Sequence, residues 1–158
     1  MTWSELSFGE HKGKTLPQVV LSDPDWFFHM VEKGAFQNRG RLAEEARTVD
    51  HKARRIRIPS RNNEDLVAEY AIHLSTGTFG RMDIVPRSQP EHKGSSPTQR
   101  KDVIDLSFPR QYATYDKLGC WLLLGALKFY VFQDSKIRLT RKRCEEFFDN
   151  DANFVLGT

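Results

Sequence analysis

The sequence has little cysteine. Cys120 and Cys144 are the only two, far apart, one inside an apolar run and the other inside a charged one. No Cys-x-x-Cys pair exists, which excludes a thioredoxin-like redox motif and any cysteine-based zinc site. Neither thiol has a base paired with it in sequence, so covalent catalysis gains no support and no catalytic residue is nominated. The histidines, His11, His29, His51, His73 and His92, include no pair at helical ligand spacing, and neither a metal nor a cofactor is expected. Long apolar runs are also missing. The longest, Gly119 to Leu127, falls far short of the roughly 20 residues that span a bilayer, and no membrane contact is expected. The start, MTWSELSFGEHKGK, lacks a basic segment followed by an apolar one. With its few cysteines this points to a reducing, cytoplasmic setting. Finally, no charge of one sign dominates. The 24 Lys+Arg face 21 Asp+Glu, a net of +3 that does not by itself diagnose a polyanion partner. Local clustering has to decide that question.

What is present is enough for one core, since 39% of the 158 residues are hydrophobic. Glu5 to Phe8 reads as a short strand, followed by a polar turn from Gly9 to Lys14. Leu16, Val19 and Val20 form the apolar face of a short helix with Pro17 in its first turn. Asp23 caps a second helix that opens on Pro24, buries Trp26, Phe27, Met30 and Val31, and stops at Gly34. From Arg41 to Ile56, the residues Leu42, Ala46, Val49 and Ala53 recur at helical spacing. A break follows at Pro59 to Asn63, so the chain divides into a region 1–58 and a region 59–158 that together make one compact unit.

The second region opens with a β-hairpin, Val67 to Leu74 and Phe79 to Val85, turning at Gly77. Residues 86–101 have the Pro, Ser, Gly and charge content of an exposed loop. Val103 to Phe108 reads as a third strand. Tyr115 to Phe132 is the strongest helix, with Leu118, Leu122, Gly125, Phe129 and Phe132 on one face, and with Trp121, Leu123, Leu124, Leu127 and Val131 widening it until little polar surface remains. That pattern predicts a central, buried helix. A last helix starts at Thr140 and turns Cys144, Phe147 and Phe148 inward. The expected fold class is α+β: an N-terminal strand and helices, a small antiparallel sheet with a β-hairpin, and two C-terminal helices packed on it. Trp26, Trp121 and Tyr130 read as core. Trp3, Tyr112 and Tyr115 are the aromatics expected at the surface.

One motif carries a resemblance. The run Phe8-Gly9-Glu10-His11-Lys12-Gly13-Lys14-Thr15-Leu16, followed by Asp23-Pro24-Asp25-Trp26-Phe27, resembles the small C-terminal domain of exodeoxyribonuclease X-type exonucleases. Relatives of that domain also stand alone in bacteria and phages, some described as quorum-sensing-regulated virulence factors. Phe8, Gly9, Lys12, Gly13, Lys14, Leu16, Asp25 and Trp26 fall on the pattern. Glu10 and the Phe27-Phe28 pair depart from it. The match covers about a quarter of the chain, and the exonucleases' acidic metal-binding residues have no counterpart here. The resemblance therefore implies a nucleic-acid context without nuclease chemistry. In that context Lys12 and Lys14 are candidate phosphate contacts, and Gly9, His11 and Gly13 shape the turn so that backbone amides approach an anion.

Two further basic groups extend this reading. Lys52, Arg54, Arg55 and Arg57 follow His51 at the end of one helix, and Arg141, Lys142 and Arg143 follow Arg138 at the start of another. The bland alternative is that all of them are solvated faces. The function expected from sequence is a non-enzymatic, nucleic-acid-associated protein that binds the phosphate backbone of DNA or RNA, of phage or mobile-element type. The alternative is a protein-interaction factor, an inhibitor or accessory subunit of a nucleic-acid enzyme or a host defence complex, for which the mixed surface with Glu44, Glu45, Asp149 and Asp151 is suited. A metal-dependent nuclease built on Asp83 and Glu91-His92-Lys93 ranks last, because Pro90 and the Gly94 to Pro97 run put that element in a loop. The tetrapeptide Glu-His-Lys-Gly occurs at 10–13 and again at 91–94, and the second copy lacks the flanking motif.

Overall fold

The structure, a computed structural model, describes residues 2–60, 63–91 and 96–157. It is α+β. Helices α1 (Leu16–Val20), α2 (Pro24–Glu32) and α3 (Arg41–Ala53) come first, and short strand β1 (Ile56–Arg57) follows. Strands β2 (Leu66–Ile72), β3 (Phe79–Pro86) and β4 (Thr98–Lys101) form an antiparallel sheet in the order β3-β2-β4, while β5 (Val103–Ile104) pairs with β1. Helices α4 (Lys117–Tyr130) and α5 (Arg141–Asp149) complete the chain, with 3-10 turns at Phe108–Gln111 and Asp151–Asn153.

Most of the elements follow local chemistry. Asp23 accepts the Trp26 N–H at 3.3 Å and Pro24 needs no donor partner, so α2 starts where the sequence places it. Thr140 does the same for α5 through the Arg143 N–H. The hairpin forms as expected, with Gly77 at a φ of +69°. Its inner strand β2 lies between two neighbours and is buried almost along its length, which suits the run Val-Ala-Glu-Tyr-Ala-Ile. The Tyr70 hydroxyl donates to the Val103 carbonyl and accepts the Asp105 N–H, tying β2 to the segment after β5. The Phe108 ring stacks on Tyr70 with centroids 4.0 Å apart.

Several expectations fail for identifiable reasons. The strand at Glu5 to Phe8 reduces to a single bridge, Glu5 with Thr15, because the chain turns back at once through Gly9 and Gly13. Helix α3 stops at Ala53, since Ile56 and Arg57 are drawn into pairing with β5. The supposed loop 86–101 contributes β4, an edge strand that needs only one paired side and so tolerates Thr-Gln-Arg-Lys. The third strand shortens to Val103–Ile104. Trp3 is buried, with its indole N–H donating to Asp149 at 3.0 Å, whereas Tyr112 and Tyr115 are exposed as expected.

Helix α4 packs on β3 and α2, and α5 packs on α1, so elements from before residue 58 touch elements from after residue 59. The core runs continuously from Trp3 and Leu6 through Phe27, Phe28, Tyr70 and Phe108 to Phe148 and Phe154. Cys144, Phe147 and Phe148 face into it, and the buried thiols Cys120 and Cys144 are free. Burial pushes each thiol up to about 12, so neither is a thiolate near neutrality. Among the described residues, no helix is long and apolar enough to cross a membrane.

Candidate interaction surfaces

The Gly9 to Lys14 turn is a closed loop. Gly9 and Gly13 take φ values of +77° and +90°, a region that side chains rarely enter. Within it the Lys12 N–H donates to the Gly9 carbonyl, the Gly13 N–H to Leu6, and the Lys14 N–H to His11. These three amides are thus used by the loop itself. Lys12 is exposed and Lys14 half-buried, and neither side chain has a hydrogen-bond or ion-pair partner among the described residues.

The rest of the motif turns inward. His11 Nε2 lies 2.9 Å from Asp23 Oδ2, and its ring meets the Trp26 edge at 4.9 Å between centroids. Gly9 is required beneath Trp26, because a Cβ there would stand 3.1 Å from the indole. Asp23 is also 3.2 Å from Lys117 Nζ through both oxygens. Burial pushes its carboxyl up, but hydrogen bonds from His11, Lys117 and the Trp26 amide outweigh this and leave it below the ordinary value. Donor atoms of Glu10, His11 and Asp23 lie within 4.8 Å of one another, a spacing a cation could use. Lys117 already supplies positive charge to the same carboxylate.

Asp25 is more deeply placed. It is 2% exposed and lies 2.7 Å from Arg110 Nη1, itself 3% exposed, and Arg110 also grips Glu32 at 2.7 Å. The Asp116 N–H donates to Asp25 Oδ1 at 3.0 Å, and Asp116 in turn caps α4 by accepting the Gly119 N–H at 2.8 Å. A side chain at residue 119 would run into the Asp116 carboxylate, which explains a glycine in the first turn of this helix. The two carboxylates of Asp-Pro-Asp-Trp thus hold the start of α4.

The remaining basic candidates are held by the fold. Lys52 Nζ donates to the Phe148 carbonyl at 2.7 Å and to Asp151 at 2.8 Å. Arg54 bonds Asp50 and the Ser107 hydroxyl, each at 3.0 Å, with its guanidinium over the Phe28 ring. Arg55 donates to the His51 carbonyl, and Arg57 to the Ala152 and Phe154 carbonyls. Arg141 bonds Glu145 at 2.8 Å and Glu5 at 3.4 Å, Lys142 stands 3.8 Å from Glu146, and Arg143 donates to the Arg138 carbonyl. Of the proposed nuclease set, Asp83 accepts the Tyr130 hydroxyl at 3.2 Å and pairs with Arg81, while His92 and Lys93 lie outside the described residues.

The surface that sequence reasoning missed is on α4. Cys120, Leu123, Leu124 and Leu127 are buried, but Leu118 and Trp121 are each 68% exposed and Phe129 58% exposed, with Leu122 and Gly125 between them. At about 100° per residue these five fall within roughly 100° of arc, opposite the buried four. Tyr115, two residues before the helix, is also exposed, with its ring 4.9 Å from that of His29. Trp121, read as core from sequence, is therefore at the surface, and the helix is not central: one face covers the sheet and the other faces solvent. Beside the stripe runs a groove of about 450 Å³ lined by Leu21, Trp121, Leu122, Gly125, Lys128 and Arg138. The Lys128 and Arg138 side chains make no hydrogen bond or ion pair among the described residues.

The chain matches no protein-family model, and neither a curated protein nor a solved structure is significantly similar to it.

Proposed function

We propose that the protein is an interaction module that docks another protein surface through the outward face of α4, in the manner of an accessory or inhibitory subunit. The observation that carries this reading is the stripe Leu118, Trp121, Leu122, Gly125 and Phe129. The opposite face of the same helix already fills the core, so the stripe is surplus to the fold. A helix with one buried face ordinarily presents charged residues outward, and contiguous exposed apolar surface marks association sites. Trp and Tyr are also the residue types that anchor such interfaces.

A second reading, phosphate contact, is favoured by Lys12 and Lys14, which stand unpaired on an exposed turn, and by the likeness of that turn to the exonuclease X-type domain. It draws less from the seven remaining basic candidates, each of which has a carboxylate or carbonyl neighbour.

Two measurements separate the readings. Titration with labelled single- and double-stranded oligonucleotides at two salt concentrations is expected to give no salt-sensitive binding at micromolar protein. Capture from lysate of the producing cells is expected to yield complexes that survive nuclease treatment and are lost in the Leu118→Gln, Trp121→Gln, Phe129→Gln triple variant. Salt-sensitive binding abolished by Lys12→Ala with Lys14→Ala would reverse the order of the two readings.

A further inference from the structure

The stripe has a spacing that reads the same from either end, as a surface that docks a second copy of itself must. Leu118, Leu122, Gly125 and Phe129 are placed evenly about the point between residues 123 and 124. Turned end for end, the series falls on itself: 118 meets 129, and 122 meets 125. We propose that the surface docks a second copy of this chain, α4 against α4, antiparallel about a two-fold axis at that point. The proposal rests on the reading of α4 as a protein-docking face and names its partner.

Two-fold association uses one patch twice, so the patch must complement itself. Here it does. Leu118 of each copy meets the partner's Phe129, and Leu122 lies over the partner's Gly125. Around Gly125 no atom stands within 4 Å of where a Cβ would be, so the position is an open notch in the middle of the stripe. Glycine at the crossing point lets the two helices approach closely. Trp121 and Lys128 lie on the same flank of α4, given its 100° step. In the antiparallel register Trp121 therefore falls beside the partner's Gly125 and Lys128, in the groove of about 450 Å³. There the unpaired Lys128 ammonium gains an aromatic face.

The area suits a weak dimer. With 150 to 250 Å² for each aromatic side chain, the exposed parts of Leu118, Trp121, Leu122 and Phe129 offer roughly 500 Å² per copy. Two copies remove at most about 1,000 Å² from water, the threshold for a specific contact. The cations do not oppose it. Lys117 at the helix start is met by Asp23 at 3.2 Å and Asp25 at 4.0 Å, and Arg138 stands at the groove wall, off the stripe.

Sedimentation of the full chain from about 1 to 200 µM is expected to show a reversible monomer–dimer equilibrium with a dissociation constant on the order of 10 µM. Trp121→Gln or Phe129→Gln should weaken it about tenfold or more. Gly125→Leu should weaken it as strongly, although it adds apolar surface, because it fills the notch. All three positions face solvent, so thermal unfolding of dilute protein that is unchanged for Trp121→Gln and Phe129→Gln, and unchanged or raised for Gly125→Leu, confirms that the variants fold. For the register, chains carrying Leu118→Cys and Phe129→Cys are mixed with a short thiol cross-linker. The expected product joins 118 to 129, with the buried Cys120 and Cys144 unreactive.

A monomer at the highest concentration, a dimer indifferent to these substitutions, one strengthened by Gly125→Leu, or a product joining 118 to 118 would each overturn the proposal. If the chain stays monomeric while nuclease-resistant capture still depends on Trp121 and Phe129, the occupant is a different protein, and only the second-copy assignment fails. If it stays monomeric and Trp121 instead supports salt-sensitive binding of single strands, the docking reading fails with it.

Discussion

The N-terminal motif and helix α4 reverse what their compositions suggest. Residues 8–26 are rich in charge, yet Asp23, Asp25 and His11 turn inward onto Lys117, Arg110 and Trp26, and Thr15 donates to Glu145. Helix α4 is the most apolar stretch, yet about half of its large apolar side chains face solvent. The two are mechanically joined, because Asp25 receives the Asp116 amide and Asp116 caps α4. Charge here secures the position of a helix, and apolar surface is what the helix offers. A charged motif is thus no sign of a free surface when partners such as Arg110 and Lys117 lie nearly a hundred residues away in the chain.

This contrast can be broken at its strongest point first. Arg110→Ala leaves buried Asp25 with Lys117 at 4.0 Å in place of a guanidinium at 2.7 Å and should cost about 3–5 kcal/mol by urea unfolding. A loss under 1 kcal/mol would mean that the clasp does not hold the fold. Within α4 the two faces should separate cleanly. Leu127→Ala on the inner face should cost about 2–5 kcal/mol through the cavity it leaves, while Trp121→Gln should stay within about 0.5 kcal/mol in dilute protein. Equal costs would erase the distinction between the faces. Gly9→Ala, which forces a Cβ toward Trp26 at a φ of +77°, should cost about 1–2 kcal/mol in the same assay.

The smallest effect is on acid stability. The Asp23 carboxyl sits below its ordinary value of 3.8, so the stability it contributes is present in full above that value and is lost as pH falls through the lower folded value. Stability of the native chain should therefore fall more steeply below about pH 4 than that of Asp23→Asn. Parallel curves would show that the carboxylate contributes nothing there.

Much of this was legible in the sequence wherever a signal is local. Asp23 before Pro24, Gly77 between two apolar runs, and Cys144, Phe147 and Phe148 behind Thr140 each carry their instruction within a few residues, and each formed as read. What failed was not local. Periodicity gives a helix its faces but cannot say which one meets the sheet when both are apolar, so Trp121 reads as core. Strand β4 has no apolar alternation because it pairs on one side only. Lys52 and Arg57 look free in a sequence since their acceptors, Phe148 and Phe154, lie about a hundred residues distant. The signal that could have exposed the outward face of α4 was Gly125, a helix-weakening residue in the middle of an otherwise strong helix, where no core contact requires it.

Hydroxyl-radical footprinting of Trp121, read against the half-buried Trp26, tests the outward face of α4 most directly. If the face is a docking surface, Trp121 is oxidised heavily in dilute purified protein and protected in concentrated protein or in nuclease-treated lysate of the producing cells, with Trp26 unchanged. If Trp121 is oxidised equally under all three conditions, nothing covers the stripe and α4 is not where this protein meets its partner.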